Sequence, residues 1–324
     1  MKIINNNIEL LHPKKQLSLF GYEDYFNFFI KLFNKREMPN CMLLSGLKGM
    51  GKATFTYHII NYLLSKDEER KYSIKDFVID ESNLSYKLLN TNTHPNFFLI
   101  ENNLLDKDIK IEQVRNLIQF LNKTTYTRNL KIIMIDNAEN LNLNSSNALL
   151  KAIEEPQNKT YFFIIYNSAS KILDTVKSRC TEFKFNLSTS QKRNIFSRIT
   201  KQYKKEIAID DIMEDYYYDT PGNLAKYLFA LDKANININE DPLKCIFHFI
   251  DDYNNKKNPE TLSFLSVFIE KFYNKLCLSN NKNLNSYFLN QSKILNQIDE
   301  MKRFNLNEKN IFIWIKDILQ NEAK

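Results

Sequence analysis

The sequence predicts a parallel α/β domain followed by all-helical segments, and three observations carry the prediction. Between Asn40 and about Phe185, short apolar runs alternate with stretches of helical period, as strands and crossover helices do in a sheet covered on both faces. Three of the chain's five glycines, Gly46, Gly49 and Gly51, fall within six residues directly behind one apolar run. After Asn186 the apolar runs stop and only helical spacing remains.

The elements follow in order. Cys41 to Leu44 is a short apolar strand entering the glycine cluster, and Phe55, Ile59, Tyr62 and Leu63 then recur at helical spacing. Ser65 to Thr93 is charged and weakly patterned, an insertion whose structure the pattern leaves open. Asn96 to Ile100 is the second strand, entered through Pro95, and Ile111 to Leu121 has helical period. Lys131 to Asp136 (KIIMID) is an apolar strand ending in an acid. Ala148 to Glu154 is helical and stops before Pro156, because proline cannot continue a helix. Tyr161 to Tyr166 and Glu182 to Phe185 complete the strands. Ser188 to Ser190 can cap a helix over Gln191 to Lys201. A break at Asp219 to Gly222 precedes a helix over Asn223 to Ala230, Asn235 to Asp241 reads as a linker, and Pro242 to Lys324 as a further helical domain.

Composition excludes some classes. With 43% hydrophobic residues among 324, the chain can bury ordinary cores, and no run approaches the ~18 to 20 apolar residues of a membrane span. The N-terminal MKIINNNIELLHPKKQ lacks the apolar core of a secretory signal. A soluble, cytoplasmic protein without membrane contact is expected. Cys41, Cys180, Cys245 and Cys277 are scattered and form no CxxC pair, so buried free thiols are expected and no zinc site. The net charge of +7 suits work near nucleic acid and carries no more than that.

Chemistry concentrates at Gly46-Leu47-Lys48-Gly49-Met50-Gly51-Lys52-Ala53, which matches a P-loop in all but its last position. Glycines let backbone N–H groups wrap phosphate oxygens, and Lys52 reaches the β and γ phosphates. The hydroxyl that should follow the lysine and bind Mg²⁺ is replaced by the methyl group of Ala53. Thr54 lies ~100° further round the helix, where it points elsewhere. Asp136 fits the acid that orients Mg²⁺. Behind it stands Asn137, whose amide cannot take a proton from water, and losing a general base costs roughly 10² to 10⁴ in rate.

Asn147-Ala-Leu-Leu-Lys-Ala-Ile-Glu-Glu-Pro156 with Ser178-Arg179-Cys180 resembles the signature of the AAA+ clamp loaders. His94-Pro95 and Leu19-Phe20-Gly21 extend the resemblance to the delta-prime family of bacterial DNA polymerase III, in an alphaproteobacterial-like form without the zinc module. The likeness covers about residues 12 to 230. It implies a RecA-like AAA+ domain over 1–186, a helical lid over 187–234 and a helical collar for oligomerisation over 242–324. It implies a largely non-hydrolysing subunit of a hetero-pentameric ring with delta and gamma/tau, acting with the sliding clamp and primed DNA, within a DNA-directed DNA polymerase holoenzyme. Arg179 then corresponds to an arginine finger acting on a neighbour's ATP. At its own degenerate site, Gly46, Gly49, Gly51, Lys52, Ala53, Thr54 and Asp136 would hold ATP or ADP weakly. The family's sensor residue corresponds to Tyr166 or Asn167, and the lid arginine's position holds Ala225. The alternative reading is an active P-loop ATPase, a motor subunit or helicase loader. That reading needs a hydroxyl after Lys52, a Glu after Asp136 and a lid arginine, and all three are missing. A free-standing DNA-binding protein would rest on charge alone.

Overall fold

A computed structural model describes residues 11–102, 108–123, 130–157, 159–203, 219–236, 241–279, 283–304 and 306–323. They fall into two compact units, one drawn from Glu9–Ile209 and Tyr218–Ala225, the other from Lys226–Lys324.

In the first unit the elements run α1 (Glu23–Lys35), β1 (Cys41–Gly46), α2 (Lys52–Ser65), α3 (Leu84–Asn90), β2 (Phe97–Ile100) and α4 (Ile111–Asn122). Then follow β3 (Lys131–Ile135), α5 (Leu143–Glu154), β4 (Thr160–Asn167), α6 (Asp174–Lys177), β5 (Thr181–Lys184), α7 (Thr189–Gln202) and the start of α8 (Pro221–Lys233). The five strands form one parallel sheet in the order β2-β3-β4-β1-β5. Both faces of its central strands are buried. Met42, Leu44, Ile132, Met134, Phe163 and Ile165 enter one core, and Cys41, Leu43, Ile133, Ile135, Phe162 and Ile164 the other. Burial on two faces is why these strands read as unbroken apolar runs instead of alternating ones.

Every expected strand is present, with ends matched or shifted by at most two residues. Helix α5 begins five residues before the expected Ala148, because Asn142 caps it: its Oδ1 accepts the Ser145 N–H at 2.9 Å. Helix α7 begins two residues early behind a capping box of Ser188 and Gln191. Helix α8 starts at Pro221 and not Asn223, proline fitting the first turn, where no N–H partner is needed.

The segment from Ser65 to Thr93, whose structure the sequence leaves open, contains defined elements. Val78 bridges both Ser18 and Ser73, and α3 is capped by Asn83, whose Oδ1 accepts the Tyr86 N–H at 2.7 Å. The Glu68 carboxylate accepts the N–H groups of Leu84 and Ser85 at 2.9 and 3.0 Å. Tyr72, Ile79, Tyr86 and Leu89 join the core. His58 is wholly buried between the Tyr72 hydroxyl (2.9 Å) and the Gln16 carbonyl (3.0 Å), and burial pushes its imidazole down to about 3.

The second unit contains α9 (Pro242–Lys256), α10 (Pro259–Ser279), α11 (Leu284–Phe304) and α12 (Glu308–Glu322). Its core gathers Tyr227, Phe249, Phe264 and Phe268, with Tyr253 edge-on to Phe312. Phe288, Leu289 and Ile313 stay exposed. Of the expected lid and linker, residues 204–218 and 237–240 lie outside the described residues. No described helix is long and apolar enough to cross a membrane. All four cysteines are free, but only Cys41 and Cys245 are buried; Cys180 and Cys277 are half-buried, a partial correction to the expectation.

Candidate functional site

Strand β1 runs to Gly46 and α2 begins at Lys52, so the glycine loop occupies the turn between strand end and helix start. Gly51 is the N-cap of α2 at φ +84° and Gly49 stands at φ +82°, left-handed values that a side chain would strain. Gly49 has a further reason to be glycine. A Cβ there would lie 2.2 Å from the Thr220 Oγ1 and 2.7 Å from the Asn223 Oδ1. The loop is thus closed by the start of α8: the Thr220 hydroxyl donates to the Lys48 carbonyl at 2.9 Å, and the Gly222 N–H to the Gly49 carbonyl at 3.0 Å. From below, the Tyr22 hydroxyl donates to the Met50 carbonyl at 2.7 Å.

Lys52 is buried, and its ammonium donates to the Gly46 and Leu47 carbonyls at 2.6 and 2.8 Å. Burial pushes it down to about 8, against the pull of Asp136 and Glu139. It therefore keeps most of its charge at neutral pH, turned inward on its own loop. Ala53 packs on the core beneath the loop, and Thr54 next to it is half-buried. Thr56, one turn on, spends its hydroxyl on the Lys52 carbonyl at 2.8 Å.

Asp136 follows the last residue of β3, held by its N–H to the Ile100 carbonyl at 2.8 Å. Burial raises its carboxyl to about 6, Glu101 and Glu139 adding to the rise while the Asn137 N–H and Lys52 oppose it. Asn137 takes a left-handed φ of 55°, and its side-chain amide donates to Asn102 at 3.1 Å. Glu139 accepts the Asn167 N–H at 3.1 Å, and Asn167 is the register partner of Gly46. Lys52, Asp136, Glu139 and Asn167 thus gather at the carboxyl ends of β1, β3 and β4, where open parallel sheets bind ligands. Tyr166 turns away from this group: its hydroxyl donates to Glu182 at 3.3 Å. Glu101 and Glu139 escaped the sequence reading. For Glu101 the one available signal was an acid directly after a strand, which is weak alone; Glu139, four residues beyond β3, carries none.

Arg179 lies elsewhere. It follows α6, its side chain 36% exposed, with Nε and Nη2 both 2.6 Å from a Glu154 carboxylate oxygen and Nη1 donating to the Thr175 carbonyl at 2.9 Å. The next residue, Cys180, adjoins Cys41 at the start of β1, whereas the glycine loop follows the end of that strand. Six residues at ~3.3 Å each separate the two ends. Arg179 and the glycine loop are therefore at opposite ends of β1.

A protein-family model described as DNA polymerase III, delta subunit, matches residues 21–189. The chain is 31% identical to the DNA polymerase III subunit delta' of Pseudomonas aeruginosa over 152 residues, 47% of this chain and 44% of that one. Against the subunit delta' of Buchnera aphidicola from Schizaphis graminum, identity is 26% over 212 residues, 61% and 62% of the two chains. Against the subunit gamma of the same Buchnera it is 27% over 215 residues, 64% and 56%. The chain spans about half the length of the curated relatives it matches. The family match takes in more than half of the chain, from Gly21 through the glycine loop, Asp136 and Arg179 to the first residue of α7, and it establishes that this chain belongs to the DNA polymerase III delta subunit family.

Proposed function

We propose that the chain is a delta-prime-type subunit of the bacterial clamp loader, a cytoplasmic ring component that contributes a residue to catalysis and does not itself hydrolyse ATP efficiently. The observation that carries this reading is the pairing of Ala53 and Asn137 at a site otherwise built for phosphate. The loop and Lys52 fit a polyphosphate: backbone N–H groups at the start of α2 and a charged lysine can take its oxygens. The donor set does not fit a catalytic metal. Ala53 offers a methyl group where the hydroxyl ligand should stand, so Asp136 lacks the partner that would share the metal with it. ATP or ADP would bind weakly, after Lys52 is released from the Gly46 and Leu47 carbonyls, and Asn167 beside Glu139 is the better sensor candidate than Tyr166. Arg179 acts in trans. It lies a strand's length from its own loop, and its guanidinium, held by an exposed pair with Glu154, can exchange that carboxylate for the γ phosphate of a neighbouring subunit.

On this reading residues 1–186 form the AAA+ domain, 187–234 the lid and 242–324 the collar that joins delta and gamma/tau subunits in a hetero-pentamer, which in turn handles the sliding clamp and primed DNA. The exposed Phe288, Leu289 and Ile313 support an oligomerising role for the last region. The test is ATP turnover by the chain alone and then with motor subunits, clamp and primed DNA. Turnover is expected in the assembly only; an isolated chain turning over at an ordinary enzyme rate, ~1 to 10³ s⁻¹, would refute the proposal.

A further inference from the structure

Cys41 opens β1, and Cys180 stands one residue ahead of β5. The two strands pair in parallel with Met42 opposite Thr181, so the cysteines are the next cross-strand neighbours. Their sulfurs lie 2.8 Å apart, although 139 residues separate them in sequence, and both thiols are free. Neighbouring strands run ~4.8 Å apart, inside the ~4.4 to 6.8 Å that separates the Cα atoms of disulfide-bonded cysteines. A bond between them therefore needs no movement of the sheet. The two differ in access: Cys41 is buried at 5% exposure, whereas Cys180 is half-buried beside the partly exposed Arg179.

We propose that Cys41 and Cys180 form a reversible intramolecular disulfide when a peroxide reaches the chain, a modification site that fastens the residue after Arg179 to the first strand. The more accessible Cys180 reacts first. Its sulfur attacks a peroxide oxygen, the O–O bond breaks, and the departing hydroxide takes up the Cys180 proton as water, leaving a sulfenic acid. The Cys41 sulfur then attacks that sulfur, the S–S bond forms, the S–O bond breaks, and the hydroxyl leaves with the Cys41 proton as a second water. Two thiols lose two electrons and two protons, and one peroxide is reduced to two waters. The contact with Cys180 and burial hold the Cys41 thiol well above the ordinary thiol range, which keeps it from meeting the oxidant, while its sulfur, 2.8 Å from that of Cys180, is placed for the second, resolving step. An excess of a small dithiol reverses the bond by exchange. The site is independent of the clamp-loader reading, because it needs only the sheet.

The full chain is treated with hydrogen peroxide under native conditions, denatured, alkylated and mapped by mass spectrometry. The expected product is a monomer two hydrogens lighter before alkylation, and after it one peptide joins Cys41 to Cys180 while Cys245 and Cys277 carry the alkyl group. It reverts with dithiothreitol and is absent from Cys180→Ser and Cys41→Ala; the half-buried Cys180 supplies the variant that keeps the fold if the buried one does not. Full alkylation of both cysteines after treatment would overturn the proposal. So would a sulfinic acid at Cys180 with Cys41 still a thiol, or linkage between chains.

Discussion

Replacing Gly49 by alanine tests the closure of the glycine loop, and a series of three glycines separates its causes. At Gly51 the φ is +84° but the nearest atom to an added Cβ is 3.6 Å away, so Gly51→Ala costs only the left-handed strain, roughly 1 to 2 kcal/mol. At Gly222 the φ lies outside the left-handed region and the added Cβ meets the Gly49 carbonyl oxygen at 2.6 Å. Gly222→Ala is then purely steric, typically 1 to 3 kcal/mol for an overpacked contact. Gly49→Ala suffers both, with φ +82° and a Cβ 2.2 Å from the Thr220 Oγ1, and it also forces apart the hydrogen bonds from Thr220 and Gly222. The expected loss is about 2 to 5 kcal/mol, or roughly 5 to 15 °C in melting temperature for a unit of this size. Urea and thermal unfolding of the full chains, followed by circular dichroism, should rank Gly49→Ala as the least stable of the three. If Gly49→Ala costs no more than Gly51→Ala, the start of α8 does not close on the loop in solution and the reasoning fails.

Three further expectations follow from the site and the surfaces. The Asp136 carboxyl is raised to about 6 from 3.8, so the native state holds its proton more tightly than the unfolded chain does. That stability is fully present below pH ~4 and is lost as pH rises through ~6. Asp136→Asn should therefore be more stable than the unmodified chain at pH 8 by about 1 to 3 kcal/mol, the gain vanishing near pH 4; an equal gain at both pH values would contradict the assignment. Arg179→Ala should change stability by no more than ~1 kcal/mol, since an exposed ion pair is weak, yet slow ATP hydrolysis at the one neighbouring site by ~10³ to 10⁵. Lysine should rescue it poorly for want of a planar fork, and an unchanged rate of clamp loading would make Arg179 structural. Phe288→Asp and Ile313→Asp, at 69% and 60% exposure, should leave the melting temperature nearly unchanged but weaken entry into the ring, measured by native mass spectrometry; full assembly of both variants would move the interface elsewhere.

How much of this was legible depends on whether the cause is local in the chain. The strands could be read because burial on both faces writes an unbroken apolar run, and Lys52, Ala53, Asp136 and Asn137 because fixed spacing ties them to a strand end or helix start. The segment after Ser65 could not, since its order comes from bonds such as Glu68 to Ser85 and His58 to Tyr72, which leave no period in the sequence. The same holds for Glu139 beside Asn167 and for the contact between Cys41 and Cys180. Gly49 marks the boundary between the two cases. Its sequence position says that a backbone reason exists, and phosphate is the reason the motif supplies. The structure adds a second: Thr220 and Asn223, more than 170 residues on, fill the space where its side chain would stand. A loop held closed by its own chain needs glycine at that position whether or not nucleotide ever enters, so the presence of Gly49 beside Ala53 and Asn137 is no evidence for hydrolysis.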